Sequence, residues 1–352
     1  MEEESVMYLK TKTEHKTIWE KVTKNIKSRI AGVITNHMPI SFGLEISNAC
    51  NANCTFCAYR FQTREKGIME MSVFKRAIDQ YCTIGGGDLN MTPTVGDPLV
   101  DRNLIEKIRY ARSKPEINEI WFYTNMIAFD HFDVQEFLES GLTSMRISTC
   151  IKDKETYVKI YRSPKYEQMI ENIITLMTAN PSATKPLNVM LFLRIPKPFQ
   201  EVLDSVDYQR VAALFDKKNI IHLDDEYDSW GGLIDAKDLP AGNQLYENKL
   251  DQTKEPCSEL YRRVNVLFDG TVNNCVCRDL NADMKIGNIY EQSLEEIWNG
   301  KELKELRSQW HKGVVPKTCQ GCQRYVPVSD YFSSHFFKIV KKFLRRKFLI
   351  RK

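Results

Sequence analysis

Ser47-Asn48-Ala49-Cys50-Asn51-Ala52-Asn53-Cys54-Thr55-Phe56-Cys57-Ala58-Tyr59 begins where the strand-forming run Ser41–Ser47 ends. Three thiols in a Cys-x3-Cys-x2-Cys pattern let a short loop wrap a cubane iron–sulfur cluster and bind three of its irons. The fourth iron then has no protein ligand. An open metal position suits catalysis, whereas a structural or relay cluster is normally closed by a fourth Cys. A zinc loop short of one ligand is the competing reading. The loop lies at a strand's carboxyl end, where barrel enzymes keep their sites, and this favours the cluster.

Outward from that loop, short β-rich runs alternate with amphipathic helical stretches. The runs are Ser41–Ser47, Asp88–Thr94, Asn118–Thr124, Thr143–Thr149, Leu187–Ile195 and Asn219–Leu223, with helical stretches such as Leu104–Lys114 and Tyr166–Ala179 between them. Such alternation predicts a parallel sheet with helices outside. Six runs fall short of the eight of a closed barrel, so the expected α/β fold is a partial, open (β/α)6 TIM-like barrel over residues 41–235. Residues 1–40 are expected to form a helical extension. Past Trp230-Gly231-Gly232 the rhythm changes: Val264–Phe268, the turn Asp269-Gly270 and Thr271–Val276 read as a hairpin, and Ser293 as the N-cap of a helix. A small C-terminal α+β domain is expected over 236–330, then a tail over 331–352.

The chain's 352 residues exceed a single small module, and 42% hydrophobic with 27% charged residues places it among folded globular proteins. The net charge of +4 hides an asymmetry: Ser334 to Lys352 holds eight Lys or Arg and no acid, so residues 1–333 carry −4. A mildly acidic body excludes the basic surface that nucleic acid needs. No apolar stretch reaches the roughly 18 residues of a membrane span, and Met1-Glu2-Glu3-Glu4 is the reverse of a basic signal-peptide head. A cytoplasmic location is expected, where ten cysteines point to metal or redox chemistry.

The Cys50–Cys57 loop resembles the signature of the radical S-adenosylmethionine (SAM) enzymes. The resemblance implies that Cys50, Cys54 and Cys57 hold a [4Fe–4S] cluster whose open iron chelates SAM, with Phe56 and Tyr59 of the same loop beside the cofactor. Val95-Gly96-Asp97-Pro98 sits where the family has Gly-Gly-Glu-Pro, against the methionyl amino group, so Gly96 and Asp97 join the cofactor-binding set; the chain departs from that pattern at Val95 and Asp97. Thr124-Asn125 and Ser148 look like the family's polar SAM contacts at strand ends.

Cys257, Cys275 and the pair Cys319-x2-Cys322 supply four thiols, enough to close a second cubane. With the Gly287-Asn288 turn and Ser293–Asn299, they resemble the SPASM/twitch appendage of radical SAM enzymes in its shorter form, since no Cys follows Cys322. Structural zinc is the alternative, and Cys277 is surplus. Cys150, past the fourth run, is a candidate hydrogen donor or a buried apolar residue. Asp224 and Glu226, with His222 and Asp225, are candidate proton acceptors or substrate-hydroxyl ligands; a solvated acidic loop is the plainer reading. Phe336–Arg346 on a helix puts apolar residues on one half and Lys or Arg on the other, as in an interfacial membrane helix or a docked helix with a basic face.

The family implies reductive cleavage of SAM to methionine and a 5′-deoxyadenosyl radical, with a flavodoxin- or ferredoxin-type electron donor. The favoured outcome is oxidation of a carbinol in a small-molecule or glycan-type substrate: a sugar, cyclitol or glycoconjugate. Epimerisation with Cys150 as donor, peptide modification, and a non-enzymatic electron carrier or sensor are the alternatives. The tail suggests peripheral contact at the inner face of the membrane.

Overall fold

Strand-forming runs and amphipathic helices alternate in space as they do along the chain. The computed structural model describes residues 18–215, 220–223, 225–275 and 278–350. Helix α1 (Ile18–His37) leads into β1 (Ser41–Leu44), α2 (Met71–Thr83), β2 (Gly87–Asn90), α3 (Leu104–Arg112), β3 (Ile117–Thr124), α4 (Val134–Leu138) and β4 (Ser144–Thr149). Then follow α5 (Lys154–Tyr161), α6 (Tyr166–Ala179), β5 (Asn188–Leu193), α7 (Gln200–Leu203), α8 (Val206–Ala212) and β6 (Ile220–Leu223). Strands β1 to β6 are adjacent and parallel in sequence order, with helices between them, which is the expected α/β partial barrel. β1 and β2 end earlier than their apolar runs. At β1 the chain turns through Ile46 N–H to Leu44 O at 3.1 Å, and Ser47 bridges to Ile68 instead of a strand.

The C-terminal part holds β7 (Glu226–Tyr227), β8 (Gln244–Leu245), α9 (Glu259–Arg262), β9 (Arg263–Val266), β10 (Thr271–Asn273), β11 (Lys285–Asn288), α10 (Leu294–Trp298), α11 (Lys301–His311), α12 (Val328–Ser334) and α13 (Phe336–Ile350). The expected hairpin forms as β9–β10, but it does not stand apart. β9 pairs in parallel with the free edge of β1, from Ser41↔Arg263 to Leu44↔Val266, so one nine-stranded sheet runs β11-β10-β9-β1-β2-β3-β4-β5-β6. Pairing covers an edge that would otherwise expose its backbone groups.

Period-two alternation sorts each strand's side chains. On β4, Met145 and Ile147 pack in the main core while Arg146 and Ser148 face the lumen. In the lumen, the Arg146 guanidinium lies 3.9 Å over Trp121, Tyr123 meets Phe192 at 5.6 Å, and Phe192 stacks on His222 at 4.4 Å. This packed layer separates an upper cavity, at the carboxyl ends of the strands, from a lower one near Ser41, Asp88 and Glu119. Helices α12 and α13 close the lower end, where Lys342 Nζ pairs with Asp88 at 2.6 Å.

A buried ion pair fastens the two halves. Glu45, fully buried just past β1, accepts from both terminal nitrogens of Arg64 and from Phe268 N–H at 3.3 Å, while Arg64 Nε donates to Leu280 O at 3.0 Å. Burial pushes the Glu45 carboxyl up, and Arg64 opposes that. Arg64→Met removes the opposing charge and is expected to cost about 3–5 kcal/mol. Urea unfolding checks this; an unchanged midpoint contradicts it.

Candidate functional site

The Cys50–Cys57 loop is held from three sides. Asn48 accepts from Gly67 N–H at 2.7 Å and donates to Glu65 O at 2.8 Å, and Ser47 Oγ donates to Gly67 O at 3.1 Å. Asn53 and Thr55 N–H groups donate to Tyr161 O and Ile160 O at the end of α5, at 3.1 and 2.9 Å. Tyr59 bends back so that its hydroxyl donates to Cys50 O at 3.2 Å and its N–H to Cys57 Sγ at 3.4 Å. The result is a rigid loop with Cys50, Cys54 and Cys57 close enough to perturb one another. Burial first, then the Asp97 charge and more weakly Cys57, push Cys50 up; burial and then the other two thiols raise Cys54, and burial raises Cys57. Converging half-buried thiols, of which only Cys57 has arginines (Arg194 and Arg60) near enough to offset its burial, suit a cationic metal group, which binds thiolates and removes that penalty.

The residues after β2 press on this loop. Gly96 has φ +100°, and a Cβ there would lie 2.1 Å from Ser47 O, so glycine is required for the approach. Asp97 N–H donates to Ala49 O at 2.9 Å. Its carboxylate is turned inward, accepting from Thr124 Oγ1 at 3.0 Å, Asn125 N–H at 2.7 Å and Leu99 N–H at 3.0 Å. Burial pushes Asp97 up to about 6. The Asp97 carboxylate thus ties the end of β3 to the loop after β2, and the neighbouring Asn125 Nδ2 donates to Asn51 Oδ1 at 2.7 Å and reaches Cys50 Sγ at 3.5 Å.

Cys50, Cys54, Phe56, Cys57, Tyr59, Gly96, Asp97, Thr124, Asn125 and Ser148 all line one cavity of about 260 Å³ at the carboxyl ends of the strands. Sequence reasoning missed Arg194, Tyr123, Thr92, Tyr161 and Trp230, which line it too. Arg194 follows Met190 and Phe192 at period two on the lumenal face of β5, a signal visible in the sequence. It lies 5.9 Å from Phe56 and 5.2 Å from Tyr227.

Cys150 is not at this cavity. The chain leaves β4 after Thr149, and the thiol is fully buried in the main core, pushed up to about 12 by burial. A hydrogen donor must reach the substrate, and the buried apolar reading fits its surroundings. Asp224 and Cys277 lie outside the described residues.

The second cysteine group also converges. Cys275 and Cys319 are buried in a core of Leu260, Met284, Trp310 and Tyr325, with Cys257 and Cys322 packed against it. Burial and mutual proximity push Cys319 up, and Cys257 is raised to about 12 with burial the main cause. Cys322 N–H donates to Cys319 O at 3.1 Å, and Arg278 N–H donates to Cys275 Sγ at 3.3 Å. Between the two groups lies a side cavity of about 290 Å³ that shares Phe56, Cys57, Arg194 and Trp230 with the first, and adds Glu226, Asp228, Arg278 and Arg324. Asp228 is engaged, pairing with Arg278 and, at 3.1 Å, with Arg324. Glu226 pairs with no cation among the described residues and accepts from Gln244 Nε2 at 3.4 Å.

Residues 44–205 match the model of the radical SAM superfamily, and residues 257–323 that of the SPASM iron–sulfur cluster-binding domain. The chain is 27% identical over 151 residues to a GTP 3′,8-cyclase of Chlorobaculum tepidum, covering 42% of this chain and 44% of that protein. A GTP 3′,8-cyclase of Cronobacter sakazakii is 24% identical over 152 residues, covering 42% and 45%. The match thus spans less than half the length of these relatives. Among solved structures, Streptococcus suis SuiB bound to its precursor peptide SuiA superposes with a TM-score of 0.55 at 12% identity, covering 90% of this chain and 77% of that one. Native anSMEcpe with bound AdoMet gives 0.51 at 14% identity, covering 88% and 97%. These likenesses establish the fold.

Proposed function

Because the chain belongs to the radical SAM superfamily and carries a SPASM domain behind its barrel, it works with a [4Fe–4S] cluster, an auxiliary cluster and SAM, and we propose that it oxidises a carbinol of a sugar, cyclitol or glycoconjugate. In this reading Cys50, Cys54 and Cys57 hold the SAM-binding cluster in a barrel over 41–235. Cys257, Cys275, Cys319 and Cys322 hold the auxiliary one in a domain over 236–330. When bound, these groups supply hydrogen-atom abstraction from a C–H bond and uptake of the second electron, with an external donor of the flavodoxin or ferredoxin type.

The carrying observation is the side cavity: it is lined both by Cys57 and by Arg278, whose N–H donates to Cys275 Sγ. A substrate seated there lies against Cys57 of the first group and one hydrogen-bonded residue away from Cys275 of the second. Phe56, Tyr227 and Trp230 wall it against water. Glu226 is the carboxylate placed to take the carbinol's hydroxyl proton, so the substrate loses a hydrogen atom from carbon, a proton from oxygen and one electron, leaving a carbonyl. Thr92, Thr124, Asn125 and Ser148 offer polar contacts to SAM, and Gly96 lets backbone approach it. The basic tail we take as a peripheral contact with the inner face of the membrane; no described helix is long and apolar enough to cross one.

The test is turnover of a panel of sugars, cyclitols and nucleotide sugars with SAM and dithionite in D2O. The expected result is one carbonyl per 5′-deoxyadenosine formed above the substrate-free background. Solvent deuterium at an inverted carbon, or deoxyadenosine stimulated without any carbonyl, contradicts the reading.

A further inference from the structure

An apolar surface lies at the end of the barrel away from the cofactor cavity. On α1, Val22, Ile26, Ile30 and Val33 share one stripe, and on α13 Phe337 and Leu344 point outward; these six are between 41% and 76% exposed. The opposite faces of the same helices, through Ala31, Ile34 and Ile339, are buried in the auxiliary-domain core. The apolar half of the tail is therefore divided: part packs inward and part is left over. The two helices pack on each other, with Lys27 Nζ 5.7 Å over the Phe337 ring, so both stripes belong to one surface.

The charges carried by the two helices are almost all of one sign. Arg29, Lys338, Lys341 and Arg345 are exposed. α13 contains no acid, and Glu20 is the single acid of α1. The nearby Asp330 is already paired with Lys24. This rim belongs to a chain whose first 333 residues are net acidic, so the cations are concentrated rather than general. A second copy docking on the same surface would bring two cationic rims together. An anionic bilayer satisfies both features, taking apolar side chains at the acyl–headgroup boundary and Lys or Arg at the phosphates.

We propose that α1 and α13 together form a docking surface for an anionic lipid bilayer. The proposal rests on the reading of the tail as a membrane contact; it adds α1 as an equal half and leaves the mouth of the cofactor cavity at the other end of the barrel, clear of the lipid.

The experiment is co-sedimentation of the reconstituted holoenzyme with vesicles of phosphatidylcholine alone or with one-third phosphatidylglycerol, at low and high salt. Wild type is expected to partition onto the anionic vesicles and to be released by salt. Ile26→Glu with Val33→Glu, and separately Phe337→Glu, should each weaken partitioning by about ten-fold or more, with substrate-free SAM cleavage unchanged. Arg29→Glu with Lys341→Glu reads the same surface without altering buried packing and should show a comparable loss. If the α1 variants partition like wild type while Phe337→Glu does not, the two-helix surface is overturned and the tail contact stands. Wild type that ignores anionic vesicles overturns both. Dimers that dissociate in the α1 variant, without vesicle binding, overturn the proposal in favour of a second copy.

Discussion

Replacing Cys54 by Ala abolishes the reductive cleavage of SAM. Wild-type protein reconstituted under strict anaerobiosis and reduced with dithionite is expected to form 5′-deoxyadenosine and methionine slowly without substrate. The variant should fall to the level of reductant alone, a loss of at least about two orders of magnitude, since losing a ligand exceeds the roughly 10–100-fold that outer partners cost. Cys54 feels the charges of both other thiols and sits where the loop docks on α5. A wild type that forms no 5′-deoxyadenosine supports the electron-carrier or sensor alternative. A Cys54→Ala protein that still forms it contradicts the ligand assignment.

Cys257→Ala and Cys319→Ala separate the two cysteine groups. Each should keep substrate-free SAM cleavage within about two-fold, because the first loop's hydrogen bonds come from the barrel. Oxidised product should drop by at least about ten-fold, the scale on which the surroundings of a metal site act, because the substrate has nowhere to deliver its second electron. Cys150→Ser should stay active, as its thiol lies in the core and away from both cavities. Parallel loss of cleavage and product in Cys257→Ala would mean that this group only supports the fold. Loss of product in Cys150→Ser, with solvent deuterium on carbon, would restore the epimerase reading.

What could be read in advance was what is local. The Cys-x3-Cys-x2-Cys spacing and its place after a strand define the first site within one loop, and short β-rich runs between helical stretches mark the six parallel strands. Pairings between distant segments were not legible. β9 joins β1 across more than two hundred residues, so the C-terminal hairpin looked like a separate sheet. Asp97 shows the same limit, since its role depends on Thr124 and Asn125, which only the β2–β3 neighbourhood brings within reach. Cys150 looked like a rim residue because strand counting cannot show where a chain leaves the sheet. Arg194 falls on the alternation that runs through Met190 and Phe192, but an isolated arginine carries no motif that would mark it as a site residue. The tail's helical wheel separates apolar from basic residues, but packing cuts across that division, turning Ile339 and Lys342 inward and leaving Phe337 and Leu344 in solvent.

Metal and sulfide analysis after anaerobic reconstitution bears most directly on the claim that two iron–sulfur centres flank a shared cavity. Two cubanes require about eight irons and as much sulfide per chain, with no stoichiometric zinc, and the triple Cys50→Ala, Cys54→Ala, Cys57→Ala protein should retain about half. A wild-type value near four irons accompanied by one zinc would contradict the second centre and the oxidation assigned to it.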